Sequence, residues 1–222
     1  MAVIRDFNSA SAGLKVGSKL GAAREALWSI DSLGQYHLSE FTGLLTTIAA
    51  NGEIFQMRWT DADNLFILRY LAVRYAVITG FTAAQELGFK ATRVTSWSVD
   101  GSGGTTITPS TTNLNNRSSY PKSKVAGMRI STTGALTAGT KTISTNPFLT
   151  GVRKTLAAAA TVQDADFESA FNSAHGNIAP MIFAANEGFV VQNQILMGAA
   201  GTVRATVTML WEEILGTDYP TL

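Results

Sequence analysis

The sequence contains no cysteine, which excludes disulfide bonds, thiolate metal sites and cysteine nucleophiles. Histidine is almost as scarce. His37 and His175 stand far apart, and neither lies in the HxH or HExxH spacing that is typical of zinc ligands. Both are interpreted as polar surface or interface residues, and we predict neither a metal site nor a cofactor.

Charge is also scarce. Charged residues make up 15% of the chain, against about 25% in a typical soluble domain. The net charge of +1 provides no field to attract nucleic acid or an anionic membrane, so neither is predicted as a partner. Such a chain either buries much of its surface in contacts or covers it with Ser, Thr and Asn. We therefore expect a homo-oligomer, with a monomer of neutral polar surface as the alternative.

Long hydrophobic runs are missing too. No run of about 18 apolar residues exists, so no transmembrane helix is predicted. Residues 1–21 contain no continuous apolar segment of the signal-peptide type, and we expect a protein made in a cytoplasm that stays soluble or assembles there. Residues 1–25 are rich in Ser, Gly, Ala and Lys, which predicts a flexible arm. Residues 26–222 are predicted to form a single β-domain, since hydrophobic residues make up 45% of the sequence.

Alternating apolar and polar residues are the main positive signal, and they predict strands. The predicted strands cover 53–59, 65–79, 89–99, 125–132 and 140–145, and a β-hairpin joins 189–193 to 203–212 through Gly198–Gly201. For 65–79 a helix is the alternative on length alone, and β-branched and aromatic residues favour the strand. Many strands separated by short turns predict an all-β fold, a jelly-roll-like antiparallel β-sandwich.

Three segments are predicted to be something other than strands. Phe81–Gly88 is typical of a turn or a short helix. The Ser/Thr/Asn/Gly tract over 101–120 is predicted to be a long surface loop. A short helix is predicted within 156–174, because the segment is acidic at Gln163–Glu168 and places Phe167 and Phe171 four residues apart.

No motif in the sequence carries catalytic chemistry. Asp61, Asp63 and Asn64 resemble the start of a calcium loop but lack its glycine and its distal glutamate, so a turn is predicted. Gly101–Gly104 is not followed by GK[ST], so it is interpreted as a flexible loop rather than a phosphate cradle. The remaining candidates are interpreted as surface acids or as core and interface anchors: Glu86, Asp100 and Asp166, and Trp28, Trp59, Trp97 and Trp211. We predict no catalytic residue and no enzyme.

Five segments resemble virion structural proteins of tailed bacteriophages: 81–89 (FTAAQELGF), 117–121 (RSSYP), 128–139 (MRISTTGALTAG), 186–193 (NEGFVVQN) and 201–212 (GTVRATVTMLWE). The resemblance extends from about Trp59 to Glu213. It implies a jelly-roll decoration or cement protein that binds the major capsid protein across coat subunits in the virion, with a homotrimer favoured. It transfers no catalytic residue.

Three other functions are weighed against decoration. A tail-fibre, head-fibre or receptor-binding module is the main alternative, with the 101–120 loop as its binding surface. A tailspike-type hydrolase is disfavoured by the missing chemistry. A main coat protein is disfavoured because the sequence has little helical periodicity. If the protein is a decoration protein, residues 1–21 are expected to bind the capsid or a neighbouring copy.

Overall fold

In a computed structural model, the described backbone covers residues 32–112, 114–117, 120–155, 164–170 and 180–218, with side chains described in the same ranges except at 32, 153–155 and 164–170. The strands are β1 (Ser32–Phe41), β2 (Glu53–Trp59), β3 (Asn64–Thr79), β4 (Gln85–Val99), β5 (Thr105–Ile107), β6 (Met128–Ile130), β7 (Thr140–Thr155), β8 (Asp164–Ala170), β9 (Met181–Phe183), β10 (Glu187–Asn193) and β11 (Thr202–Leu215). Within these ranges the only helical piece is a 3-10 turn at Gly216–Asp218. The predicted arm over residues 1–25 lies outside the described residues, as do Trp28 and His175.

The strands form two antiparallel sheets packed together, so the chain is an all-β sandwich, as the alternation predicts. The first sheet has the order β1-β11-β3-β8, and β9 also pairs with β3. The second sheet has the order β5-β6-β2-β10-β4-β7.

Strand pairing is nested along the chain. β1 pairs with β11, β2 with β10, β3 with β8, and β4 with β7, all antiparallel. The first half of the domain therefore runs back along the second half as one long hairpin. Further pairing of β11 with β3 and of β10 with β4 rolls this hairpin into two sheets. As a result, the connections 42–52, 80–84 and 194–201 all lie at one end of the sandwich.

The core lies between the two sheets and is rich in aromatic rings. Phe66 of the first sheet has its ring centroid 5.7 Å from that of Trp59 in the second sheet and 5.8 Å from that of Trp211 on the neighbouring strand. Phe183 packs edge-on against Phe66 at 5.8 Å. All four side chains are buried. Because aromatic pairs in such offset arrangements add to the free energy gained by burial, this cluster ties the two sheets together.

A buried carboxylate holds the segment before β6 against β11. Glu213 is fully buried and accepts hydrogen bonds from three donors: Ser123 Oγ at 2.5 Å, Lys124 N at 2.9 Å and Trp211 Nε1 at 3.1 Å. Burial raises the pKa of Glu213, and these hydrogen bonds oppose the shift. The carboxylate therefore stabilises residues 123–124, which carry no ladder pairing of their own.

Several strand predictions are confirmed, but the predicted hairpin is wrong. β2 spans the predicted residues 53–59, and 65–79 is a strand, not a helix. The predicted hairpin partners β10 and β11 lie in different sheets: β10 pairs with β2 and β4, while β11 pairs with β1 and β3. Alternation identifies a half-buried strand but not its partner, and the connection over 194–201 carries the chain from one sheet to the other.

Two other predictions are corrected. Within the predicted helix over 156–174, residues 164–170 form strand β8, because they pair with residues 70–76 of β3, and a neighbouring strand outweighs weak helix signals. The predicted loop over 101–120 contains strand β5, which extends the second sheet by pairing with β6. Phe81–Gly88 holds a bend and then the start of β4 at Gln85. β1 and β9 are strands that the sequence did not predict.

Candidate functional site

Large apolar side chains are exposed at one end of the sandwich. Phe41 is 60% exposed, Leu196 63%, Ile78 50% and Leu44 41%. Single exposed apolar residues are ordinary on protein surfaces, but a group at one end points to a contact. We call these four residues the apolar end.

The strand register explains why these residues lie at the same end. Phe41 is the last residue of β1 and pairs with Thr206 near the start of β11. Ile78 is next to last in β3, whose final residue pairs with the first residue of β11. Leu44 and Leu196 lie in the connections 42–52 and 194–201, and these two connections are joined by a hydrogen bond of 2.9 Å from Met197 N to Ile48 O.

The long outer strand β7 is poorly suited to pairing with another copy. It forms the edge of the second sheet beyond β4, and its pairing with β4 is interrupted by several register shifts. It also contains Pro147, which has no N–H to donate. Bulges and proline are common protection against edge-to-edge aggregation. Association through side chains of the apolar end is therefore favoured over strand addition at β7.

The tryptophans of the described strands are buried, as predicted. Trp59 Nε1 donates to Asn64 O at 2.8 Å, and Trp97 Nε1 donates to Val99 O at 3.0 Å. Trp211 bonds Glu213 as described above. Each is at most 2% exposed, so none offers an open ring for stacking a sugar.

The candidate ligand motifs are turns. Asp61 Oδ1 accepts hydrogen bonds from the backbone N–H groups of Asp63 and Asn64, both at 3.0 Å, which confirms the predicted turn. Gly103 and Gly104 have positive φ angles of 83° and 60°, and a Cβ on Gly104 would collide with the carbonyl oxygen of Ile130. Gly104 therefore allows close backbone packing, and both glycines adopt a conformation that other residues rarely take.

Other predicted surface residues have ordinary polar partners. The exposed His37 shares a hydrogen bond of 2.7 Å between Nδ1 and Asn116 Oδ1. Asp100 pairs with Arg58 Nη1 at 3.0 Å, and its side chain is 63% exposed. Glu86 is exposed, while the side chain of Asp166 is not among those described.

The most unusual chemistry lies on the outer face of the second sheet, in a set that the sequence did not predict. Glu53 Oε2 accepts hydrogen bonds from Lys141 Nζ and from Gln56 Nε2, each at 2.5 Å. The side chains of Glu53 and Lys141 are only 4% and 2% exposed, and Gln56 is also buried. We call these three residues the buried triad.

Apolar groups pack beside Lys141 of the triad. Lys141 Nζ lies 4.3 Å from the centroid of the Trp97 ring, and Trp97 packs with Val94, Val190 and Ile143 in a cluster separate from the main core. Burial lowers the pKa of Lys141 and raises the pKa of Glu53, while their mutual hydrogen bond opposes both shifts. Desolvation thus favours the uncharged form of each partner.

A cleft of about 210 Å³ opens beside the triad. Its polar lining includes Gln56, Arg58, Asp100, Thr106 and Arg129. Thr106, Arg129 and Gln56 lie side by side across β5, β6 and β2. The cleft is therefore a polar surface feature with two guanidinium groups and one carboxylate.

No protein-family model matches the chain, and no curated protein matches it. In the described ranges, no three His, Cys, Asp or Glu side chains gather closely enough to hold a metal ion. The same part of the chain contains no helix long and apolar enough to cross a membrane.

Proposed function

We propose that the protein is a non-enzymatic virion structural protein of a tailed bacteriophage, and that it acts as a capsid decoration (cement) protein. It binds across neighbouring subunits of the major capsid protein, in many copies and as a homotrimer. Each copy adds buried area across a seam between coat subunits, and a standard interface buries on the order of 1,600 Å². No cofactor, nucleic acid or membrane takes part.

The observation that carries this proposal is the apolar end. Phe41, Leu44, Ile78 and Leu196 expose apolar surface in a chain with only 15% charged residues. Interface cores are depleted in charge and enriched in aromatic residues, and Phe41 supplies an aromatic anchor. We propose that this end contacts the coat subunits.

We further propose that the sandwich is a jelly roll. The nested pairing of β1 with β11, β2 with β10, β3 with β8 and β4 with β7 supports this assignment. Jelly rolls are common among viral capsid proteins. A shared architecture is an analogy and leaves function to be tested at the apolar end itself.

Substitution at the apolar end tests the proposal. Phe41→Asp with Leu196→Asp places two charges in the proposed contact, and both sites are exposed, so the fold should persist. We expect loss of binding to particles stripped of this protein, measured by co-sedimentation. The matched control is Leu215→Asp, since Leu215 is 41% exposed but lies at the opposite end of the first sheet, where the last residue of β11 pairs with the first residue of β3. Undiminished binding by the double variant would contradict the proposal.

A receptor-binding module is the second candidate, and the polar cleft favours it. Arg58, Arg129 and Thr106 are suited to bind hydroxyl and carboxylate groups of a surface glycan. Under this alternative, purified protein blocks phage adsorption to cells and Arg129→Ala relieves the block. Under the decoration proposal, neither protein affects adsorption.

A further inference from the structure

The buried triad has a geometry that is unusual for a simple ion pair. Both Lys141 Nζ and Gln56 Nε2 contact the same oxygen of Glu53 at 2.5 Å, so the amine and the carboxamide stand side by side on one carboxyl group. Gln56 Nε2 also donates to Thr137 O at 2.8 Å, which fixes the position of the carboxamide.

The triad lies between a small apolar cluster and the polar cleft. Trp97, Val94 and Val190 are at most 2% exposed, and Ile143 packs against them. Taking an ion pair out of water costs several kcal/mol per charge, so a buried Lys–Glu pair is weak evidence of stabilisation. Burial disfavours the charged form of each group, and a neutral amine beside a carboxylic acid is the form that the reaction below requires. The directions in which the pKa values of Glu53 and Lys141 move agree with this.

We propose that the triad forms an intramolecular isopeptide bond between Lys141 Nζ and the side-chain carbonyl carbon Cδ of Gln56, with Glu53 as the proton-transfer group. A nucleophilic lysine, an acyl group and a carboxyl group in contact with both are the components that an amide exchange requires.

The reaction balances without an oxidant or any other reagent. The lone pair of the neutral Lys141 amine attacks Gln56 Cδ and forms the new C–N bond. Glu53 donates its proton to the leaving Nε2 nitrogen and takes a proton from the attacking Nζ nitrogen. The Cδ–Nε2 bond breaks, one ammonia leaves, and Glu53 ends as it began. The product is a secondary amide that joins β2, inside the second sheet, to β7 at its edge.

The bond would close a covalent loop between residues 56 and 141. Cross-links of this kind stabilise a protein mainly by restricting its unfolded chain, and the effect grows with loop length. The long strand β7, which pairs on one side with β4, would be fixed to the centre of its sheet.

Mass spectrometry of the wild-type protein tests the proposal directly. After the folded protein has been incubated and then denatured, we expect an intact mass lower than that of the sequence by one ammonia. Trypsin should leave Lys141 uncut and release a branched peptide that joins the segment containing Gln56 to the segment containing Lys141. A full sequence mass together with cleavage after Lys141 would overturn the proposal. A bond from Lys141 to Glu53, seen as loss of one water, would overturn the assignment to Gln56.

Variants separate this reaction from ordinary ammonia loss at asparagine. Lys141→Met replaces the lysine by an apolar side chain of similar length, and Glu53→Gln removes the proton-transfer group. Both should retain the full sequence mass. Lys122→Met is the matched control, since Lys122 Nζ donates to Thr111 O at an exposed site, and it should still lose ammonia. Ammonia loss that persists in Lys141→Met would refute the reaction.

Discussion

Replacing Glu213 by alanine is expected to destabilise the protein strongly. The substitution leaves three donors without the acceptor that they now share: Ser123 Oγ, Lys124 N and Trp211 Nε1. An unsatisfied buried donor costs about 1–3 kcal/mol, so the gross loss is about 3–9 kcal/mol. Removing a buried charge offsets part of it, since burying the carboxylate is itself unfavourable. We expect a net loss of about 3–5 kcal/mol, a large share of the 5–15 kcal/mol typical of a native domain.

Urea unfolding followed by tryptophan fluorescence measures this loss of unfolding free energy, because Trp211 is one of the donors that lose their acceptor. Glu213→Gln keeps an acceptor oxygen for Ser123 and Trp211 and should lose less than half as much as Glu213→Ala. Glu86→Ala is the matched control, since Glu86 is exposed on β4 and its removal should change stability by no more than about 0.5 kcal/mol. If the unfolding free energy of Glu213→Ala is within about 1 kcal/mol of that of wild type, the carboxylate does not stabilise residues 123–124 as described.

Three further predictions concern pH, the edge strand and the arm. Burial raises the pKa of Glu213 above the ordinary value of 4.5 for a glutamate side chain, so the stability that this group contributes is present below about pH 4.5 and is lost as pH rises through the folded-state pKa. In urea titrations at several pH values, Glu213→Gln should lose less stability than wild type over that rise, and equal losses would contradict the shift. Pro147→Val restores an N–H group on the β7 edge, and light scattering should detect more aggregation than in wild type; equal scattering would contradict a protective role for Pro147. Deleting residues 1–21 should abolish attachment to capsids while the circular dichroism of the β-domain is retained, and full occupancy on particles would exclude a gripping role for the arm.

Strands with alternating residues were predictable from the sequence, and their partners were not. Phe55, Met57 and Trp59 alternate with polar residues, and this pattern is enough to define β2. The same signal defines β10 and β11, but it contains no information on which sheet each strand joins. Nearness in the chain suggested a hairpin, whereas the nested pairing separates the two strands between the sheets.

The buried triad could not be predicted because its surroundings are assembled from distant parts of the chain. Lys141 lies among threonines in a segment that is typical of a polar edge strand. It is buried because Trp97 covers it and Glu53 accepts its hydrogen bond, and both residues are more than 40 positions away. The apolar end could not be predicted for the same reason, since the register of β1, β3 and β11 brings Phe41 and Ile78 to the same end.

The number of copies of this chain on each virion tests the proposed function most directly. Quantitative mass spectrometry of purified particles, with the major capsid protein as internal reference, measures this copy number. A decoration protein that binds across coat seams predicts a copy number comparable to that of the coat subunits. A small fixed number, typical of a tail, a fibre or a single vertex, would contradict the account.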